Sequence, residues 1–186
     1  MLSALLALIV AFPSTPSAGA GPGKVYLTVD EALKLAFPEC EIERRTEYLS
    51  EAEGERAEHL ADEELESRIA RPYVARRAGE LVGTAYFDVH RVRTKNEVLM
   101  LVVGPDQCLK RVEVLSFAEP VEYLPRPAFY AQFVGRRLDD ELDLKRAVRP
   151  VAGATLSAQA ATAAARRTLA IHRVLGERAG SSTTGR

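Results

Sequence analysis

The chain has 186 residues, 47% of them hydrophobic, 27% charged and 6% aromatic, with no Trp, two Cys and a formal net charge of −1. The 25 basic residues balance the 26 acidic ones, which excludes a disordered tail of one charge sign and a nucleic-acid binder; ordinary Gly and Pro content excludes collagen-like and low-complexity chains. The length suits one domain able to bury roughly two-thirds of its unfolded surface.

Residues 2–12 are almost wholly apolar, Pro13, Ser14, Pro16 and Ser17 break the run, and Ala18-Gly19-Ala20 follows. An apolar stretch of about ten residues before a small-x-small site is the pattern of a cleaved secretory signal, whereas a bilayer span needs about twenty. Residues 1–20 are therefore read as a signal peptide cut near Ala20, although no Lys or Arg precedes the apolar run. A buried N-terminal helix is the alternative. Cys40 and Cys108 are the only cysteines, read as two unpaired thiols or, after export, as a permitted disulfide. Residues 177–186 close on Gly-Ser-Ser-Thr-Thr-Gly-Arg and are read as a frayed, disordered tail.

Between these ends the first element is a helix over residues 28–37, opened by the capping box Thr28-Val29-Asp30-Glu31 and stopped before Pro38. Residues 43–49 alternate as a short strand. Ser50-Glu51-Ala52-Glu53 is a second capping box, which opens an acidic helix to about Leu65 with a mostly solvated circumference. The period then changes to two: residues 73–77 and 81–87 flank Gly79 as a β-hairpin. The continuous apolar run over residues 98–103 predicts a central strand covered on both faces, and residues 109–117 alternate as its hairpin partner. A Pro-punctuated stretch over 119–127, a short helix over 129–133 and an Ala-rich helix over 158–175 complete an α+β plan: an antiparallel sheet flanked by helices. Residues 21–72 form an N-terminal helical segment of the same domain, and residues 73–176 its core.

Val151-Ala152-Gly153-Ala154-Thr155-Leu156-Ser157 stands immediately before the last helix and carries the chemistry. Gly153 and Ala154 keep bulk out of the turn, so backbone amides can approach a ligand. Ser157 is the expected N-cap, with Thr155 just ahead of the helix. Such a terminus presents unpaired N–H donors and about half a positive charge, a seat for phosphate that a threonine hydroxyl can hold or be esterified by. A Gly turn, a Ser cap and an Ala-rich helix also need no ligand at all.

Gly153-Ala154-Thr155-Leu156-Ser157 before a C-terminal helix resembles the signature of the FMN-binding domain family, found in the flavin subunits of Rnf- and Nqr-type redox complexes and in small exported flavoproteins. The likeness extends to residues 112–120, similar to a family strand ending in a Glu-Thr-Pro turn (here Glu119 adjoins Pro120 directly), and to Phe133-Val134-Gly135-Arg136, similar to its Phe-x-Gly-Lys/Arg step. It covers roughly residues 73–175. The resemblance implies FMN joined to Thr155 through a phosphoester made by an exported flavin transferase, with Gly153, Ala154, Leu156 and Ser157 lining the phosphate turn. It implies Glu119 beside the flavin ring, and His90 and Thr94 as ring or phosphate contacts. It also implies redox partner proteins, a membrane electron-transfer complex among them. The family has Asp six positions before the modified threonine and Ser or Thr three before it, where this chain has Arg149 and Ala152.

His90 before the basic run over residues 91–95 also reads as an ordinary strand-end histidine. His59 falls on the acidic helix, and His172 near the end of the last helix, where a cation suits the dipole. No spacing among histidines and cysteines suits a metal, and no triad or paired carboxylates suggest a substrate acid. Arg44-Arg45 and Arg166-Arg167 are too sparse for nucleic acid and are open to a partner-surface role. The reading is an exported FMN electron carrier; its rivals are an exported binding or scaffold module without covalent flavin, and a flavin-dependent reductase. Few aromatics argue against holding a flavin by ring stacking, so a tether and backbone contacts are expected to hold it.

Overall fold

A computed structural model describes residues 23–183, with side chains as far as residue 180. The expected signal peptide lies outside the described residues. The architecture is α+β: a six-stranded antiparallel sheet carries helices on its faces, and a long C-terminal helix follows the Gly-Ala-Thr turn. The strands are β1 (Lys24–Val25), β2 (Glu41–Arg44), β3 (Glu47–Tyr48), β4 (Ile69–Ala70), β5 (Tyr73–Arg77), β6 (Glu80–Arg91), β7 (Asn96–Val103) and β8 (Leu109–Phe117). The sheet order is β1-β8-β7-β6-β5-β2, and β3 pairs with β4 apart from it.

Both capping boxes form. Thr28 Oγ1 accepts from the Glu31 amide at 3.3 Å while Glu31 accepts from the Thr28 amide at 2.8 Å, starting α1 (Val29–Ala36). Ser50 and Glu53 repeat the exchange at α2 (Glu51–Ala61). That helix stops four residues short of the expected Leu65, because Asp62 turns left-handed at φ 54° and the Leu65 amide comes back onto the Glu58 carboxylate. Mid-helix Gly54, costly by about 1 kcal/mol relative to Ala, has the Arg68 guanidinium where a Cβ would stand, 1.4 Å away. The expected strand over 43–49 is instead two, since Arg45 leaves the sheet to bond the Pro72 carbonyl and the chain re-pairs at Glu47 with Ala70.

β7 lies at the centre and is buried on both faces, as its unbroken apolar run requires. Leu99, Leu101 and Val103 pack with Phe129, Phe133 and the alanines of α4 (Thr155–Thr183); Met100 and Val102 pack with Ala32, Leu33 and Phe37 of α1. Between β8 and α4 come α3 (Pro127–Tyr130) and a 3₁₀ turn over Ala131–Phe133. Ala158, Ala161, Ala164 and Ala170 are fully or almost fully covered, which lets α4 approach both the sheet and the small residues Ala57 and Ala61 of α2. This helix starts three residues before the expected 158 and continues through Thr183, across most of the segment expected to fray. Arg56 and Arg173 both bond Glu177 and hold those late turns.

Cys40 and Cys108 are free thiols; Cys108 is buried and accepts from the Arg137 guanidinium at 3.1 Å. Arg44 and Arg45 are exposed, whereas the Arg166-Arg167 pair is spent on contacts within the chain. Arg166 donates to the carbonyls of Ala61, Asp139 and Leu142, closing the end of α2, and Arg167 is turned inward onto Asp88. Among the described residues no helix is long and apolar enough to cross a membrane, and no His, Cys, Asp and Glu side chains gather in a group able to hold a metal.

Candidate anion seat at the start of the last helix

The turn before α4 is built by backbone. Ala154 donates to the Val151 carbonyl, Gly153 sits at φ +82° with open space where a Cβ would be, and the Ala154 carbonyl accepts the Ala158 amide. A left-handed residue is tolerated best by glycine, so Gly153 is needed for its torsion rather than for room. Thr155 and Leu156 are exposed at the first turn. The approach to the turn is fixed by Gln132, whose side-chain amide accepts from the Arg149 N–H at 2.9 Å and donates to its carbonyl at 3.3 Å.

Ser157 is not the N-cap. The helix begins two residues earlier, and the Ser157 hydroxyl, 1% exposed as a residue, donates to the Tyr123 carbonyl at 2.5 Å. That bond draws the 3₁₀ turn Val121–Tyr123 against the helix. Across the opening stands Arg93, its guanidinium 4.5 Å from the centre of the Tyr123 ring. Arg93, Tyr123 and residues 153–157 enclose a cavity of about 200 Å³. Thr155 also borders a polar groove of about 690 Å³ that includes Asp140, Asp143, Lys145 and Arg146. The donors facing the smaller cavity are a guanidinium, a hydroxyl and first-turn amides that have no helical carbonyl to bond. They suit a phosphate dianion. The cavity is large enough for a phosphate group.

Of the residues singled out from sequence, Gly153, Ala154, Thr155, Leu156 and Ser157 come together in this cavity. Thr94 and Glu119 meet each other beside it. Glu119 Oε1 accepts from the Thr94 amide at 2.6 Å, the Thr94 hydroxyl at 3.0 Å and the Lys95 amide at 2.8 Å. The Thr94 amide bond, together with that from Lys95, outweighs desolvation and holds the Glu119 pKa below its usual value.

His90 is elsewhere, 5% exposed in a charged core cluster. Its Nδ1 lies 2.8 Å from Asp88 and its Nε2 3.1 Å from Glu97, while Glu97 accepts from the Tyr130 hydroxyl at 2.7 Å and Asp88 from Arg167. Burial alone would lower the His90 pKa, but hydrogen bonds to Asp88 and then Glu97 outweigh it and raise it to about 9. Desolvation likewise opposes the Asp88 charge, and the bond from His90 and the charge of Arg167 override it, leaving its pKa lowered. His172, expected near a helix end as a cation, is instead mid-helix with Tyr86 Oη 2.9 Å from its Nδ1; burial lowers its pKa to about 4, so it is neutral.

Arg93 and Tyr123 line the same cavity, and motif reading did not single them out. The basic run over 91–95 announced the loop but not which residue reaches the turn, and nothing in the sequence places Tyr123 opposite Gly153. Comparison with protein-family models, with curated proteins and with solved structures gave no match to this chain.

Proposed function

We propose that the protein is an exported FMN-binding electron carrier whose flavin phosphate sits against residues 153–157 and is esterified to Thr155 Oγ1. The observation that carries this reading is the exposed Thr155 hydroxyl at the start of a 29-residue helix, in one cavity with Arg93. Esterification forms a P–O bond from Thr155 Oγ1 as the bond to the leaving group of an activated flavin phosphate breaks, and the hydroxyl proton departs with that group. An exported flavin transferase supplies this step. The flavin would carry the electrons to and from redox partner proteins; the chain holds its phosphate and limits its exposure.

The order of the three motifs and the apolar start ending at Ala18-Gly19-Ala20 support the same reading. Arg149 and Ala152, where the family has Asp and Ser or Thr, favour the second reading, a binding module that lacks the ester. A flavin-dependent reductase finds less support, since no carboxylate or imidazole lines the smaller cavity.

Co-expression with an exported flavin transferase tests the proposal. The expected product is yellow, keeps its flavin fluorescence through denaturing electrophoresis and loses both on Thr155→Ala without loss of fold. A colourless product of unmodified mass overturns the carrier reading, and extractable flavin replaces the ester with a noncovalent site.

A further inference from the structure

We infer that Glu119 and Ser157 are positioning residues that hold Arg93 at a set distance from Thr155. The five residues from Glu119 to Tyr123 form a bridge between the β6–β7 loop and the start of α4. At one end Glu119 grips the tip of the β6–β7 loop through the Thr94 and Lys95 amides and the Thr94 hydroxyl, all three on the same carboxylate oxygen. At the other end Tyr123 is fastened to α4 by the Ser157 hydroxyl. Pro120 stiffens the segment between them, and the Tyr123 amide closes back onto the Pro120 carbonyl at 3.0 Å.

The loop itself is short and doubly closed. Val92 donates to the Lys95 carbonyl at 3.0 Å, its base is the register pair Arg91 and Asn96, and the side chains of the next pair, His90 and Glu97, bond across the strands. With tip and base both fixed, the backbone of the turn is held where the exposed Arg93 side chain lies over the Tyr123 ring. Neither Glu119, Thr94 nor His90 lines the cavity. Their effect on a ligand in the cavity is transmitted through Arg93.

This inference rests on the flavin reading for its ligand, so its test has one arm that does not. In the unliganded protein, Arg93 δ and ε protons are expected to be shifted upfield by the Tyr123 ring, with Tyr123→Ala as the unshifted reference. Glu119→Ala is expected to abolish that shift and, in a titration with free FMN, to weaken binding about tenfold, the loss of one charge-assisted contact. Glu119→Gln keeps a carbonyl acceptor for both amides and is expected to retain the shift and stay within about twofold of the unaltered affinity. Ser157→Ala is expected to move both readouts in the Glu119→Ala direction by less, with a single cooperative unfolding transition, its midpoint lowered by the lost hydrogen bond, showing that the fold persists. An Arg93 shift that survives Glu119→Ala overturns the inference, as does an abolished shift with FMN affinity intact. Failure of the unaltered chain to bind free FMN leaves the flavin reading to the co-expression test, and the ring-current arm then decides whether the bridge positions Arg93.

Discussion

Two histidines lie on the same side of the sheet, His90 on β6 and His172 on the helix α4 that packs over it, and the protein buries them by opposite means. His90 is wrapped in charge, with Asp88 on one nitrogen, Glu97 on the other, Tyr130 behind Glu97 and Arg167 behind Asp88. His172 has one hydroxyl, Tyr86, on Nδ1, beside a cavity lined by both charged and apolar side chains. The first is held as a cation and the second as a neutral ring. The difference shows that depth alone does not set protonation; whether burial brings carboxylates with it does.

The largest effect should come from taking a partner out of the charged region. Glu97→Leu leaves a buried imidazolium and the Tyr130 hydroxyl without an acceptor, and is expected to lower unfolding free energy by about 3–5 kcal/mol in a urea titration. His172→Leu strands only the Tyr86 hydroxyl and is expected to cost about 1–3 kcal/mol. Equal costs would break the comparison.

The pH dependence of stability separates the two sites next. His90 has a folded pKa above the ordinary value of 6.5, so its contribution is complete below 6.5 and is lost as pH rises through about 9. His172 has a folded pKa of about 4, so protonation favours the unfolded chain and stability falls as pH drops from 6.5 towards 4. Each limb is limited to about 1.4 kcal/mol per pH unit. In urea midpoints measured across this range, His90→Gln should flatten the alkaline limb and leave the acid one, and His172→Gln should do the reverse. A variant that flattens both would mean the sites are coupled through β6.

The smallest prediction is a reference point outside both regions. The β5–β6 turn has Ala78 at φ 49° and Gly79 at φ 85°, the pair of left-handed residues a two-residue hairpin requires. Ala78→Gly should raise stability by about 0.5–1 kcal/mol by relieving the side chain. The gain should be equal at every pH, so that a pH-dependent gain would implicate the wider strand.

Much of this fold was legible because its signals are local. Thr28 and Ser50 each announce a helix start by a reciprocal bond three residues away, and residues 98–103 announce a doubly covered strand by having no polar residue to turn outward. The Gly153 turn was legible for the same reason: its glycine answers to its own φ. What escaped was set by partners distant in sequence. Ser157 had the form of a cap, but the helix starts earlier and its hydroxyl is claimed by Tyr123, 34 residues upstream. The end of α2 was decided at Asp62 and secured by Arg166, 105 residues away. Asp88 and Glu97 interrupt apolar strands, which marks them as unusual, yet no pattern in one chain says that they face one another across His90. Arg93 gained its place from a carboxylate 26 residues later in the chain.

The last helix carries a consequence for the order of events in folding. It contributes Ala158, Ala161, Ala164, Ala165 and Leu169 to the main core, and Ala170 and Val174 to the contact with α2. Its late turns are pinned to Arg56 and Glu47, 121 and 131 positions upstream. The sheet can pair strand by strand as it emerges, since every neighbour except β1 with β8 and β2 with β5 is the next strand in sequence. Phe129, Phe133, Leu142 and Val148 cover part of one face of that sheet, and the rest stays uncovered until residues 155–175 have been made. A chain in synthesis therefore passes through an interval with its hairpins formed and much of that apolar face bare, when a holding chaperone has most to act on.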